Sequence, residues 1–129
     1  MWLFTKTGFF SAVQKWDEPD VIVVRARVRR DLAALIKKHA LEGETRILVF
    51  KGTDYPYRLN LSKPLFQLVL ADEAAGIDYP NFKDEVKNQQ GYPRARLYME
   101  IWRVMYDAEA KLKELSEGER LLHFKKKSV

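Results

Sequence analysis

The stretch that most constrains the fold is residues 21–29, which read Val-Ile-Val-Val-Arg-Ala-Arg-Val-Arg and lead directly into the helical pattern of residues 31–38. It is the longest β-prone run in the chain, and successive side chains of a strand point to opposite faces of a sheet. One face of the predicted strand is apolar throughout: Ile22, Val24, Ala26 and Val28. The other face begins with Val21 and Val23 and becomes basic at Arg25, Arg27 and Arg29. The pattern predicts a central strand with one buried face and one partly open face.

The length of 129 residues suits one domain with a core of its own. The absence of Cys excludes disulfides and thiolate zinc sites and favours a cytoplasmic location. No apolar run is long enough to span a membrane, and the N-terminal run is too short for a signal peptide. We therefore expect a cytoplasmic protein with no membrane partner, and nothing in the composition indicates a cofactor.

The net charge of +5 suggests nucleic-acid binding, but three of these charges come from residues 125–127 near the C-terminus. Because such binding requires a clustered basic patch, the sum over the whole chain is weak evidence. Short basic ends are usually solvated and flexible. We expect a single domain over residues 1–118 and a basic, flexible tail over residues 119–129.

The predicted elements follow the order ββ, β, α, ββ, α, α, α. One hairpin is expected over residues 2–14 around Thr7-Gly8, and a second over residues 45–61 around a loop at residues 51–54. From the central strand onward, the order β-α-β-β-α matches a ferredoxin-like split βαβ unit. The sequence therefore predicts an α+β domain. Its antiparallel sheet has about five strands, with helices on one face and a long C-terminal helix.

The residues on the apolar face of each predicted helix and strand are expected to form the core. Its members are Ile22, Val24, Val28, Leu32, Leu35, Ile36, Tyr57, Leu59, Leu61, Phe66, Val69, Ile101 and Trp102. In the longest helical pattern, which begins at Tyr92, an apolar stripe runs from Tyr98 to Leu115 in steps of three or four residues. This is typical of a surface helix with one buried side or of a helix that binds a partner.

Four stretches carry a resemblance to other proteins: Met1-Trp-Leu-Phe-Thr-Lys6 with Gly8-Phe-Phe-Ser11, Val24-Arg-Ala-Arg-Val28, Thr53-Asp-Tyr55, and Asp78-Tyr-Pro-Asn-Phe-Lys83. In these stretches the chain resembles a set of small bacterial proteins that are usually left as hypothetical. The resemblance extends to about Tyr106. It implies a bacterial source and no particular activity, because that set has no agreed function.

An enzyme needs an activated nucleophile, an acid–base pair or a metal set. The only two histidines, His39 and His123, lie in no nucleophile motif, and the acids of residues 17–20 lack further ligands at a fixed spacing. Glu85-Val-Lys87 and Glu109-Ala-Lys111 resemble the Glu-x-Lys fragment of restriction-type nucleases. However, both fall in helical patterns, whereas that fragment belongs on a strand. A metal-dependent nuclease is therefore the third-ranked hypothesis, and no catalytic or metal-binding residue is predicted.

The sequence gives more support to a binding face than to an active site. If the sheet forms as predicted, its surface opposite the core carries four polar side chains and two aromatic ones: Arg25, Arg27, Arg58, Asn60, Trp2 and Phe4. Basic and aromatic groups on an open sheet hold phosphates and stack bases in RNA-binding domains. The first hypothesis is thus a non-enzymatic module that binds RNA or single-stranded DNA.

Two alternatives stay open. Arg25 and Arg27 would have a structural role if they paired with acidic neighbours inside the fold. Val21 and Val23 share their face and favour a covered surface, so a protein partner or a homodimer could bury this face or the long helix. The second hypothesis is accordingly a protein-interaction or homo-oligomeric adaptor.

Overall fold

A computed structural model describes residues 1–127 of the chain. The strands are β1 (Trp2–Phe4), β2 (Phe9–Lys15), β3 (Glu18–Ala26), β4 (Leu48–Val49) and β5 (Tyr57–Ser62). The helices are α1 (Arg29–Lys38), α2 (Lys63–Ala75), α3 (Phe82–Gln90) and α4 (Tyr92–Lys127).

The five strands form one sheet in the order β1-β2-β3-β5-β4, and each neighbouring pair is antiparallel. The strand predicted to be central, β3, has two strands on each side. Strands β3 and β4 run in the same direction with β5 between them, because both are antiparallel to β5. The predicted α+β domain with a five-stranded antiparallel sheet and a long C-terminal helix is confirmed.

Helices α1 and α2 cover one face of the sheet. The core there contains most of the predicted residues, including Val24, Leu35 and Leu59, and also Phe10 and Leu41. Ser62 caps α2 as its pattern indicates, because its hydroxyl accepts a hydrogen bond from the backbone N–H of Leu65 at 3.3 Å.

Two core predictions are wrong. Val28 is 45% exposed because β3 ends at Ala26 and Val28 is the residue that precedes α1. Trp102 is 55% exposed because the domain covers α4 only up to about Ile101. The indole of Trp102 instead stacks on the ring of Tyr106, with ring centroids 5.2 Å apart.

A second, smaller core lies on the opposite face of the sheet. Phe4 and Phe9 pack there against Val86 of α3 and against Ala95 and Tyr98 of α4. Burial raises the pKa of the Tyr98 hydroxyl to about 12, so this group stays neutral at physiological pH. Helix α3 and the first turns of helix α4 therefore cover the β1–β2 corner of this face.

Beyond this core, α4 continues well past the domain. The helix includes residues 119–127, which the sequence analysis assigned to a tail, and residues 128–129 lie outside the described residues. The division of the chain at residue 118 stays a prediction. Within the described part of the chain, no helix combines the length and the apolar character needed to cross a bilayer.

His39 is the C-cap residue of α1, in agreement with its predicted place at a helix boundary. Its Nδ1 lies 2.9 Å from Oδ2 of Asp72, and its Nε2 lies 2.9 Å from Oε1 of Glu73. Burial alone would raise the pKa of Glu73, but hydrogen bonds from His39, Lys38 and Thr7 outweigh it and hold this pKa below its ordinary value. The contribution of Glu73 to stability is therefore present above pH 4.5, the ordinary pKa, and is lost as the pH falls below it.

Asp31 is a buried carboxylate that joins three elements. Only 2% of this residue is exposed. Its Oδ1 accepts a hydrogen bond from Nη2 of Arg94 in α4 at 2.8 Å, and its Oδ2 accepts one from the backbone N–H of Phe9 in β2 at 3.2 Å. Asp31 also lies in the first turn of α1, where the helix dipole favours a negative charge.

Gly8, in the connection between β1 and β2, leaves the space that the Asp31 carboxylate occupies. The connection comprises residues 5–8, not the two-residue turn that the sequence predicts, and Gly8 does not adopt a positive φ. A Cβ atom at Gly8 would lie 2.7 Å from Cγ of Asp31. Glycine is therefore required here for the close approach of a carboxylate and not for the turn.

Arg94→Ala tests the importance of this contact. The substitution leaves the buried Asp31 carboxylate without its cation, and we expect the free energy of unfolding to fall by about 3 kcal/mol. The matched control is Arg96→Ala, which removes an exposed arginine whose Nε lies 3.9 Å from Oε1 of Glu100. A surface pair of this kind is worth at most about 1 kcal/mol. Urea unfolding followed by circular dichroism measures both variants, and equal losses would contradict the role given to Asp31.

Candidate nucleic-acid interface

One row of side chains crosses the sheet on the face opposite α1 and α2. The strand register pairs each member with the next, in the order Trp2, Ser11, Arg25, Arg58 and Leu48. Strands about 4.8 Å apart place the ends of this row roughly 19 Å apart. The row begins beside the corner covered by α3 and α4 and then crosses the part of the face where side chains are only half-buried.

Arg25 and Arg58 are direct cross-strand neighbours in this row. Side chains at such positions have their Cβ atoms about 5 Å apart, and like charges there repel each other. Among residues 1–127, neither arginine forms a salt bridge, and neither does Arg27. The alternative in which Arg25 and Arg27 pair with acidic neighbours is therefore wrong for the described residues.

An aromatic ring holds the arginines in place instead. The guanidinium carbons of Arg25 and Arg27 lie 4.7 and 4.8 Å from the centre of the Tyr55 ring. Nε of Arg58 donates a hydrogen bond to the carbonyl of Tyr55 at 3.1 Å, and its guanidinium lies over Phe50, 4.6 Å from the ring centre. Cation–π contacts of this kind restrain a guanidinium without neutralising its charge. We call Arg25, Arg27, Arg58 and Tyr55 the arginine face.

The hydrogen bonds of Arg25 leave part of its donor capacity unused. Its Nη2 donates to Oγ of the buried Ser11 at 2.8 Å, and its Nε is buried without a partner among the described residues. A guanidinium has five N–H donors in a planar fork that matches phosphate and carboxylate oxygens. The arginine face therefore presents positive charge on a restrained support, while the buried Nε of Arg25 lies out of reach of a ligand.

The other predicted site residues, Asn60, Trp2 and Phe4, differ in their exposure and in what they pack against. Asn60 lies on the same face, opposite Val23, and is half-buried. Trp2 is 69% exposed and stands edge-on to Phe9, with ring centroids 6.3 Å apart. Phe4 shares the face, but it is packed against Phe9 and Tyr98 beneath α3 and α4. Phe4 therefore lies apart from the arginine face, partly covered by Tyr98 of α4.

Three residues of this region were not predicted from the sequence. Tyr55, only 3% exposed, is the support of the arginine face. Arg30 and Arg94 line a neighbouring cavity of about 400 Å³ together with Arg27, which also belongs to the arginine face. The one carboxylate in that cavity belongs to Asp31 and is paired with Arg94. The Thr53-Asp54-Tyr55 stretch, whose tyrosine begins a predicted strand, was a usable signal for Tyr55, whereas Arg94 is far away in sequence.

The nuclease hypothesis gains no geometric support. Both Glu-x-Lys pairs lie on helices, the first in α3 and the second in α4. Among the residues that the structure describes, no group of three or more His, Asp or Glu side chains is arranged to hold a metal ion.

No protein-family model, curated protein or solved structure matches this chain in sequence or fold comparisons. The resemblance to the small bacterial proteins stays a prediction. A function is therefore inferred from the geometry of the arginine face.

A double-mutant cycle tests whether Arg25 and Arg58 repel each other. We expect Arg25→Gln and Arg58→Gln together to cost more stability than the sum of the two single changes. The difference should be about 0.2–1 kcal/mol, because either single change already relieves the whole repulsion and the second change cannot relieve it again. High salt should reduce this coupling, since the Debye length falls to about 3 Å at 1 M.

Urea unfolding of the four proteins at low and high salt gives the coupling energy. An attractive coupling, or a coupling that does not change with salt, would show that an unrecognised partner already neutralises the pair.

Proposed function

We propose that this protein binds single-stranded nucleic acid, RNA or single-stranded DNA, through the arginine face and the row of side chains that crosses it. The observation that carries the proposal is the direct pairing of Arg25 with Arg58, with no salt bridge from either of them to a carboxylate of the described residues. Two like charges at a cross-strand position cost stability. An anionic ligand that bridges them would convert this cost into binding energy.

The spacing of the charges favours an extended anion over a small one. Arg58 of β5 is paired with Arg25 of β3, and Arg27 follows just after the end of β3. Arg30 and Arg94 continue the basic surface into the neighbouring cavity. A polyanion with regularly spaced phosphates can contact several of these groups at once, and it releases counterions as it does so.

Two exposed aromatic rings flank the arginines. Trp2 ends the row on the β1 side, and Phe50 lies beneath Arg58 on the β4 side. Bases stack on such rings with little dependence on sequence, typically at about 1–3 kcal/mol each. Aromatic groups at both sides of a basic centre favour a single strand, whose bases are free to stack, over a duplex.

Oligonucleotide titration tests the proposal. A fluorescein-labelled single strand of roughly 12 nucleotides, as DNA and as RNA, is titrated into the parent chain and followed by anisotropy. We expect binding at low salt that weakens as salt rises. In Arg25→Gln/Arg58→Gln, the slope of log K on log salt should become shallower by about 0.7 for each lost phosphate contact.

Two control variants separate the arginine face from other positive charges. Arg96→Gln/Arg103→Gln removes the same charge from exposed positions on α4 and should bind as the parent does. Lys125→Gln/Lys126→Gln/Lys127→Gln measures how much the basic end contributes on its own. The proposal fails if the parent does not bind, if Arg25→Gln/Arg58→Gln binds as tightly as the parent, or if a labelled poly-glutamate peptide binds equally well.

A further inference from the structure

The outer part of α4 carries an apolar stripe that nothing in the described chain covers. Its members follow the alternating spacing of three and four residues typical of a coiled-coil seam: Met105, Ala108, Leu112, Leu115, Glu119 and Leu122. The four large apolar side chains among them are each 60–64% exposed. From Met105 to Leu122 the helix is about 27 Å long at 1.5 Å per residue.

The stripe is the continuation of one that is already used inside the domain. One and two turns earlier, Ile101 and Tyr98 occupy the same side of α4 and pack against Phe82 and Phe4. Within the domain, this side of the helix therefore binds apolar surface. The outer half repeats the pattern, and none of the described residues supplies such a surface beside it. An exposed apolar stripe of this length marks an interaction site.

We infer that the outer half of α4 pairs with the same segment of a second copy of this chain, in the antiparallel direction. If Leu112 of one copy faces Leu115 of the other, the helical repeat also places Met105 opposite Leu122 and Ala108 opposite Glu119. Each large apolar member of the stripe then faces another one, and the only charged member faces the smallest.

Charge favours this direction over the parallel one. In a parallel pair in register, Glu119 would face Glu119 of the other copy within the seam, which is repulsive. In the antiparallel pair Glu119 faces Ala108, and Lys111 of that same copy lies one turn away on the flank of the seam. The aliphatic part of Glu119 covers the small alanine, while its carboxylate reaches the ammonium group.

The position of the domain also favours the antiparallel direction. The domain packs on the stripe side of α4 at Tyr98 and Ile101, which is the side that would face a partner helix. A parallel pair brings both domains to the same end and on the inner side, where they would collide. An antiparallel pair places them at opposite ends.

The area involved predicts a reversible dimer. Burial of one Leu or Met side chain removes roughly 100 Å² of apolar surface from water. Four such side chains per copy, already about 40% covered, together with the flanking Trp102 and Val104, give roughly 800 Å² over both copies. Because stable interfaces usually bury about 1,200–2,000 Å², the population of dimer should depend on concentration.

Sedimentation equilibrium of the full chain over a wide concentration range tests the pairing. The parent's average mass should rise from 15.2 kDa towards twice that value. Leu112→Lys/Leu115→Lys changes two exposed residues, so the domain should stay folded and the mass should stay monomeric. Ala110→Lys/Glu114→Gln adds the same charge on the other side of the helix and should dimerise as the parent does. A monomeric parent, or a dimer that the leucine changes leave intact, would overturn the inference.

The direction of pairing is tested with a single spin label. The chain has no Cys, so Arg103→Cys, on the outer side of α4, gives one labelling position. In the antiparallel pair the two labels are about 30 Å apart along the axis, because 21 residues separate Arg103 from the residue opposite it. In a parallel pair they lie at the same height, within the width of two helices, about 20 Å. A short distance in the dimer would overturn the antiparallel arrangement.

Discussion

The contact on which the structure most depends is the buried carboxylate of Asp31, with Arg94 on one oxygen and the backbone N–H of Phe9 on the other. A buried charge is tolerated only when it is paired and hydrogen-bonded, and here both conditions require three separate elements to meet. The contact fixes the start of α4 against β2 and α1. It therefore determines which part of the second sheet face the last two helices cover.

That placement explains why the arginine face stays accessible. Helices α3 and α4 are anchored over Phe4 and Phe9 at the β1–β2 corner, and α4 then leaves the domain. On this side of β3 and β5 the side chains of Arg25 and Arg58 are half-buried, and neither forms a salt bridge within the described part of the chain. The same direction of α4 exposes its outer stripe. Among the described residues, two surfaces are thus left uncovered, one basic and one apolar.

Much of the fold follows from local sequence patterns. Alternation in residues 21–28 predicted the two faces of β3, and the Ser62 cap and Pro64 predicted the start of α2. The errors have a common cause, since periodicity shows which side chains share a face but not what lies beside that face. Trp102 belongs to the apolar side of α4, yet the domain ends before it. Phe4 lies on the same face as Arg25, yet Tyr98 of α4 partly covers it. Asp31 follows two arginines and reads as exposed, because its partner Arg94 is 63 residues away.

The most direct test of the account is a map of where a ligand contacts the unmodified chain. In ¹H–¹⁵N correlation spectra recorded during titration with a single-stranded oligonucleotide, we expect the largest shifts at the backbone amides of Ser11, Arg25 and Arg58 and at the indole of Trp2. Amides of α1 and α2, on the covered face, should change little. Shifts confined to residues 119–129, or spread evenly over both faces, would contradict the assignment of the arginine face as the binding surface.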